Sequence, residues 1–241
     1  MTAIFRYDPA VTARFPTIVG GLIHARGVAS GITPTDLALA FRDEQAAVLG
    51  RIGEMPLSEL PTLAAWRRTF RGFGVDPTAY RSAAEALLRR LTKQGSIPSI
   101  GSLVDLGNLV SIRYGLPVSV MDQRVVTGGT TVRFAAGNER FTDLGSGAQE
   151  MPEPGEVIFV DQAGRVSARR WCWRQSAESA SGPATSEILV TVEGHHATAP
   201  SDVAAALEDL QGLLQAHASP TSIASAVLDA GQPVFEGLGA G

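Results

Sequence analysis

The feature that most constrains the fold is a change of hydrophobic pattern near the middle of the chain. Up to Tyr114 the apolar residues recur mainly at helical spacing. After Pro117 the pattern changes to short apolar runs, which glycine and proline clusters separate. Separate blocks of helices and strands favour an α+β fold over an alternating α/β fold. We therefore predict one compact α+β domain.

Local signals predict four helices in the first block. Thr33 is expected as the N-cap of the first helix, with Pro34 at its first helical position and Gly53 at its end. Ser82 and Glu85 have the spacing of a capping box, which predicts a helix start at Ser82. The other predicted helices cover residues 58–71, Ser82 to Gly95, and 101–114.

Short apolar runs predict strands, one before the helices and five after them. The predicted strands are 17–24, 118–122, 131–136, 156–161, 166–174 and 186–193. A helix is expected from Ser201 or Asp202 to about His217, and a weaker helix after Pro220. The final GLGAG has little to bury and is expected to form a mobile tail.

Composition argues against several classes of protein. There is no apolar run of about 18 residues, so no membrane span is expected. The N-terminal segment lacks the pattern of a secretory signal, and a single cysteine fits a reducing compartment. We therefore predict a cytoplasmic location and no internal disulfide.

Basic residues are concentrated in one segment of a chain whose formal net charge is −4. Between residues 66 and 93, seven basic side chains stand against two acidic ones. Guanidinium groups suit phosphate oxygens because they donate two parallel hydrogen bonds. RNA contact is therefore one hypothesis, and pairing with acidic residues of the same domain is the alternative. The candidates for RNA contact are Arg67, Arg68, Arg81, Arg89 and Arg90.

A set of short motifs, in a fixed order, carries a family resemblance. The chain resembles the B3/B4 domain of the phenylalanyl-tRNA synthetase β subunit, and more closely the free-standing B3/B4 proteins. The motifs are Phe73-Gly74-Val75-Asp76-Pro77, Tyr80-Arg81-Ser82, Glu85 to Arg90, Val104-Asp105 with Asn108, Leu116-Pro117 with Asp122, Pro154 to Val157, Arg169-Arg170-Trp171 and Val192-Glu193-Gly194.

The resemblance implies a β-sandwich of unusual topology flanked by helices. It places a B3/B4-like domain at 15–218, an N-terminal extension at 1–14 and a C-terminal helix or tail at 219–241. It also implies a function, because the synthetase domain hydrolyses tyrosine that is wrongly esterified to phenylalanine tRNA. A free-standing relative is then expected to edit mischarged tRNA in trans.

Two alternatives to editing stay open. One is a non-catalytic module that binds tRNA or an amino acid, and the other is a small-molecule enzyme that reuses the amino-acid pocket. The expected partners are tRNA or aminoacyl-tRNA, with an amino acid in the pocket and no DNA. No obligate nucleophile is visible, so a water activated partly by the ribose hydroxyl of the tRNA is expected to attack the ester.

The resemblance also suggests residues for substrate binding. Glu193 matches the pocket glutamate of the family, which contacts the tyrosine hydroxyl, although alone it would read as a solvated carboxylate at a strand end. Ser119 stands where the family has a histidine. The identity of the amino acid that the pocket accepts is therefore left open. Asp105 and Asn108 share a helix face and either orient the substrate or hold the helix in place. Thr185 either anchors a ribose or a water, or serves a turn.

Two further groups are interpreted as structural. Within the predicted strand 166–174, Cys172 would lie on the face opposite Trp171 and Trp173, and we interpret it as a buried free thiol. His195 and His196 are adjacent, so on a strand they would point to opposite faces. No metal site and no cofactor are therefore predicted.

Overall fold

Helices pack against a pair of β-sheets, and the predicted α+β class is confirmed in this computed structural model, which describes residues 3–239. The helices are α1 Pro9–Arg14, α2 Thr35–Ile52, α3 Pro61–Gly72, α4 Ala83–Gln94, α5 Ser102–Tyr114 and α6 Ala199–Ala218, with short 3-10 turns at Leu57–Glu59 and Gln123–Val125. Among the described residues, no helix is both long and apolar enough to span a membrane.

The strands form two large sheets and one small hairpin. They are β1 Phe5–Tyr7, β2 Val19–Arg26, β3 Val118–Asp122, β4 Thr130–Phe134, β5 Phe141–Thr142, β6 Gln149–Glu150, β7 Val157–Val160, β8 Val166–Arg169, β9 Arg174–Gln175, β10 Glu187–Gly194, β11 Ser222–Asp229 and β12 Val234–Phe235. One sheet has the order β12-β1-β4-β7-β8-β9, and the other has the order β11-β2-β10-β3. The β1 strand runs parallel to β4, whereas the other pairs are antiparallel.

The four-stranded sheet lies between two hydrophobic cores. On β10, Ile188, Val190 and Val192 pack with residues of α2, α4, α5 and α6 in the first core. Because side chains alternate along a strand, Leu189 points to the opposite face, where it joins the second core. That core contains residues from both large sheets, among them Phe5 and Phe159 of the six-stranded sheet. The two sheets therefore pack face to face as a sandwich.

Segments near both ends of the described residues, 3–239, are part of this sandwich. The predicted N-terminal extension contains β1, whose Phe5 and Tyr7 are buried in the second core. The weak helix predicted after Pro220 is wrong, because β11 pairs with β2 along eight residues. Tertiary pairing decides such a segment when its own pattern is weak. The proposed domain limits at 15 and 218 stay a prediction.

The predicted tail is only partly described. Within it, the Leu238 amide donates to His24 Nδ1 at 3.0 Å, and the Gly239 carbonyl accepts from Arg26. Residues 1, 2, 240 and 241 lie outside the described residues.

Local capping signals were partly correct. Ser82 caps α4, because its hydroxyl accepts a hydrogen bond from the Glu85 amide at 3.3 Å, and Gly95 ends the helix with φ of 76°. Thr33 is not the cap of α2: that position is Pro34, and the Thr33 hydroxyl instead donates to Asp105. The Thr33 hydroxyl, which was expected to cap α2, is therefore bound to the buried Asp105 carboxylate of α5.

Candidate functional site

A small cavity of about 70 Å³ lies between the two sheets, close to the start of α4. Phe159, Trp171 and Trp173 supply aromatic surface, and both Glu193 and Ser119 line the same space. The other lining residues are Ala83, Pro117, Val118, Ala168, Cys172, Arg174, Gln175 and Thr191.

Strand register explains why Ser119 and Glu193 meet. Ser119 on β3 lies directly opposite Thr191 on β10, and Glu193 is two residues further along β10. Residues two apart on a strand point to the same face, so Thr191 and Glu193 point to one side of the sheet. The diagonal neighbour of a cross-strand pair is still within side-chain reach. The three polar side chains therefore form one end of the cavity.

The Glu193 carboxyl is held on one side by two donors. Tyr7 donates its hydroxyl to Oε1 at 2.7 Å, and the Trp171 indole donates to the same oxygen at 3.2 Å. The backbone is fixed as well, because the Trp66 indole donates to the Glu193 carbonyl at 3.3 Å. Glu193 is only 2% exposed, so it is a buried carboxyl and not a solvated strand-end charge.

Burial raises the pKa of Glu193 to about 7, although the hydrogen bonds from Tyr7 and Trp171 act in the opposite direction. Desolvation disfavours the charged form of an acid, and donors to the carboxylate favour it. Burial and the nearby Glu193 raise the pKa of the Tyr7 phenol well above its usual value. Tyr7 therefore stays protonated and donates, while Glu193 is poised between its neutral and charged forms near neutral pH.

A tight turn builds the aromatic wall of the cavity. Arg170 and Trp171 have φ of 45° and 61°, and the Trp171 amide donates to the Val157 carbonyl at 2.6 Å. The predicted single strand 166–174 is therefore wrong, because left-handed residues break it into β8 and β9. Such conformations are costly for bulky residues and persist only where surrounding contacts hold them.

This turn also changes the expected position of Cys172. Trp171, Cys172 and Trp173 all line the cavity, whereas simple alternation would have separated them. Burial raises the pKa of the Cys172 thiol well above its usual value, with a further contribution from Glu193. Because the thiolate is the reactive form, the protonated thiol is a poor nucleophile.

Ser119 presents a hydroxyl without a partner. Among the described residues, its Oγ is buried and has no hydrogen-bond partner. Buried polar atoms are usually paired in proteins, so an unpaired one at a cavity requires an explanation. A ligand that fills the space next to Ser119 would supply the missing partner.

Three other predicted binding residues occupy different environments. Asp105 is fully buried and accepts hydrogen bonds from Thr33 at 2.6 Å, from Ser99 and from the Ile100 amide at 2.9 Å, so it anchors a loop. Thr185 donates to Asp122 at 2.8 Å and lies outside the cavity. These contacts agree with the structural alternative for both residues.

Asn108 lines a neighbouring cavity of about 220 Å³. The two cavities share Val118 and Gln175, so they adjoin. Asn108 therefore lies beside the Glu193 cavity and not in it, whereas Asp105, three residues earlier on the same helix, points into the protein.

Comparison with known sequences decides the family. The family model of the B3/4 domain matches residues 65–219, which is more than half of the chain. The chain belongs to the B3/4 domain family. The resemblance expected from the motifs is thereby confirmed.

Curated relatives of this B3/4 protein are synthetase subunits. It is 30% identical over 155 residues to the phenylalanine–tRNA ligase beta subunit of Nocardia farcinica (strain IFM 10152), covering 64% of the chain and 17% of the relative. It is 37% identical over 75 residues to the corresponding subunit of Mycobacterium leprae (strain TN), covering 31% of the chain and 9% of the relative. The chain therefore spans less than a fifth of the length of these relatives.

A solved structure is also similar to the B3/4 protein. It is an N-terminal fragment of the phenylalanyl-tRNA synthetase beta-subunit from Pyrococcus horikoshii, with 11% sequence identity and a TM-score of 0.47. The similarity covers 92% of this chain and 50% of that fragment.

The candidate RNA-binding arginines of the B3/4 protein fall into two groups. Arg67 lies 2.7 Å from Glu85, and Arg81 lies 3.8 Å from the same carboxylate, so both participate in ion pairing within the domain. Arg68, Arg89 and Arg90 are exposed. No acidic partner lies within 4.0 Å of these three among residues 3–239. Only the exposed group is free to contact a phosphate without breaking an internal pair.

The two histidines that follow Glu193, His195 and His196, are buried in the B3/4 protein. His195 packs edge-on against Trp66 and Trp171, with ring centroids 4.7 and 5.0 Å apart, and burial lowers its pKa to about 3. His196 lies 2.7 Å from Asp202. Within the described part of the chain, no cluster of three or more potential metal ligands is present.

Sequence reasoning missed Tyr7 and Gly20. Tyr7 is separated from Glu193 by 186 positions, and no local pattern connects them. Gly20 lies opposite Glu193 on the neighbouring strand, and a Cβ there would lie 2.1 Å from the Tyr7 hydroxyl oxygen. The nearest sequence signal was the Gly-Gly pair inside an otherwise apolar strand, which can mark a close approach of another group.

Proposed function

We propose that this B3/4 protein hydrolyses the ester of mischarged aminoacyl-tRNA in trans, with the amino acid in the Glu193 cavity. The observation that carries the proposal is that Glu193 and the unpartnered Ser119 hydroxyl line one cavity between the sheets. Its aromatic walls suit an apolar side chain, and its polar end can form hydrogen bonds with the ligand.

Relatives support RNA as the partner. The curated proteins that the chain resembles are named as beta subunits of phenylalanine–tRNA ligase. The matched segment 65–219 contains both Ser119 and Glu193. The transfer of tRNA chemistry to this chain is an inference by relationship, because similar folds can serve different functions.

The cavity favours attack by water over attack by a protein nucleophile. Cys172, the one thiol that lines it, is protonated because of its raised pKa. In the proposed reaction, water adds to the ester carbonyl, the bond to the ribose oxygen breaks, and that oxygen takes up a proton. The products are free amino acid and uncharged tRNA. The vicinal ribose hydroxyl of the substrate would help to activate the water.

The α4 helix connects the cavity to the exposed arginines. Ala83, its first residue, lines the cavity, and the Ala83 amide donates to the Cys172 carbonyl at 2.7 Å. Arg89 and Arg90 lie six and seven residues further along, roughly 9–10 Å at the rise of an α-helix. Phosphates next to a bound tRNA end would fall within reach of these side chains.

A non-catalytic binding module is the second candidate. The observation that favours it is the polar end of the cavity, where Glu193 is already held by Tyr7 and Trp171 and where none of the lining residues described is a histidine. Such a module would bind an amino acid or a tRNA end without turnover. A cytoplasmic location stays a prediction under both candidates.

A deacylation assay on a panel of mischarged tRNAs separates the two candidates. We expect wild-type protein to release amino acid from at least one member, and Glu193→Gln to lower kcat/KM for that member at least tenfold. Glu208→Gln, an exposed position on α6, is the matched control. Binding across the panel without release would favour the second candidate, and neither binding nor release would contradict both.

A further inference from the structure

Tyr7 contacts the cavity residue Glu193 from a part of the chain that the family match does not include. The matched segment begins at residue 65, whereas Tyr7 lies on β1, between β12 and β4 of the other sheet. Its ring is 1% exposed and packs edge-on against Phe5, with centroids 5.1 Å apart. The ring therefore cannot turn away easily, and its hydroxyl is fixed at 2.7 Å from Glu193 Oε1.

We propose that Tyr7 is a positioning residue of the cavity: its hydroxyl holds Oε1 of Glu193, so that Oε2 is the carboxyl oxygen that meets a ligand. The proposal rests on the proposed function only for the identity of that ligand. It assigns to the N-terminal segment a role in the site, in addition to its place in the sandwich.

The two oxygens of Glu193 differ in their partners. Tyr7 and Trp171 both donate to Oε1, and among residues 3–239 no donor reaches Oε2. An oxygen that already accepts two hydrogen bonds is a poor place for the acid proton, so the neutral form carries its proton on Oε2. The ligand-facing oxygen then donates in the neutral form and accepts in the charged form. Tyr7 determines which oxygen has this double role.

The neighbouring groups leave Tyr7 as the dominant ionisable contact of Glu193. Cys172 of the adjoining turn faces the same carboxyl and is protonated. Arg174 lines the same cavity, but its guanidinium pairs with Asp143. His195, two residues along, has a lowered pKa and is neutral above about pH 3. Removal of the Tyr7 hydroxyl should therefore change mainly the pKa of Glu193.

Tyr7→Phe tests the proposal because it removes one oxygen and keeps the ring. A hydrogen bond to a charged group is worth at least about one pKa unit, so the Glu193 midpoint should rise by one unit or more. The midpoint is followed by carbon NMR of the labelled glutamate side chains, which requires no RNA and no turnover. Tyr114→Phe is the control, since Tyr114 also donates to a carboxylate, Asp209, at 2.9 Å outside the cavity.

Ligand binding supplies the second readout. L-tyrosine and L-phenylalanine are titrated into wild type and variants between pH 5 and pH 9. We expect any pH dependence of binding to move upward by the same amount in Tyr7→Phe and to stay in place in Tyr114→Phe. If neither amino acid binds, the carboxyl titration decides alone.

The outcomes separate this proposal from the proposed function. A shifted Glu193 midpoint without deacylation of any tRNA would support the role of Tyr7 and remove the editing function. An unshifted midpoint in folded Tyr7→Phe would overturn the role of Tyr7, whatever the deacylation assay shows. If Tyr7→Phe does not fold, Gly20→Ala provides the test, because its Cβ would displace the same hydroxyl, and an unshifted midpoint there would likewise overturn the proposal.

Discussion

Gly20 leaves the space that the Tyr7 hydroxyl occupies: a Cβ on Gly20 would lie 2.1 Å from that oxygen. The two residues belong to different sheets of the sandwich, Gly20 to β2 and Tyr7 to β1. Gly20 also pairs in register with Glu193, the residue to which Tyr7 donates. A glycine is therefore required where the phenol crosses between the sheets.

Gly20→Ala should destabilise the protein. The added methyl must displace a fully buried tyrosine, and overpacking of this kind costs about 1–3 kcal/mol. Urea denaturation measures the change. Gly50→Ala on α2 is the matched control, because a Cβ there meets nothing within 4 Å and alanine is the better helix former. The control should be neutral or more stable, and equal losses in both variants would contradict the steric explanation.

The pH dependence of stability should contain two opposing contributions. The folded-state pKa of Glu193 is raised to about 7, so its contribution is present below its ordinary value near 4.5 and is lost as the pH rises through 7. The folded-state pKa of His195 is lowered to about 3, so its contribution is present above its ordinary value of 6.5 and is lost as the pH falls towards 3. Between these ordinary values the two slopes have opposite sign.

Glu193→Gln should expose the histidine contribution. Without the Glu193 proton, the free energy of unfolding should fall more steeply than in wild type as the pH drops from 6.5 to 5. The difference is on the order of 1–2 kcal/mol over that window. Denaturant titrations at several pH values measure it, with Glu208→Gln as control. Parallel curves for wild type and Glu193→Gln would show that Glu193 titrates normally.

Removal of two exposed arginines should weaken tRNA binding and reduce its salt dependence. In Arg89→Gln/Arg90→Gln, each lost phosphate contact should lower the slope of log affinity against log salt by about 0.7–0.9. Gel shifts at several salt concentrations provide the slopes. The control, Arg6→Gln/Arg140→Gln, removes the same charge from exposed positions on or beside the six-stranded sheet. The interface would be assigned elsewhere if both double variants lost affinity equally.

Asp105→Ala should destabilise the fold without a direct effect on the cavity. It would remove the acceptor of the Thr33 hydroxyl and the Ile100 amide and one of the two acceptors of the Ser99 hydroxyl. Loss of a buried acceptor that serves several donors costs about 2–4 kcal/mol. Urea denaturation checks this, with the exposed Asp43→Ala as control. A stable variant with weakened amino-acid binding would restore the substrate-binding hypothesis for Asp105.

Signals that act over a few residues could be recognised before the structure. Ser82 and Gly95 bound α4 as predicted, because a cap depends on side chains and backbone within one turn. The apolar run of β10 was equally clear, since its alternate residues are buried on both faces. The motifs around Asn108 and Glu193 indicated the family, which the match over residues 65–219 confirmed.

The errors occurred where distant contacts outweigh local preference. Nothing near Arg170 and Trp171 indicates two left-handed residues, which the Val157 carbonyl and the start of α4 hold in place. Likewise, Ser222–Asp229 becomes a strand because β2 has a free edge beside it. Such choices depend on partners that the local sequence does not specify.

By itself, the sequence determined the α+β class, most of the helix limits and the family of this protein. Only the tertiary structure decided that Tyr7 donates to Glu193, that Ser119 and Glu193 line one cavity, and that Asp105 anchors a loop. The physical reason is the distance along the chain over which each kind of interaction acts. Capping and periodicity act within one or two turns of chain, whereas burial and hydrogen bonding in a cavity depend on which strands the fold brings side by side.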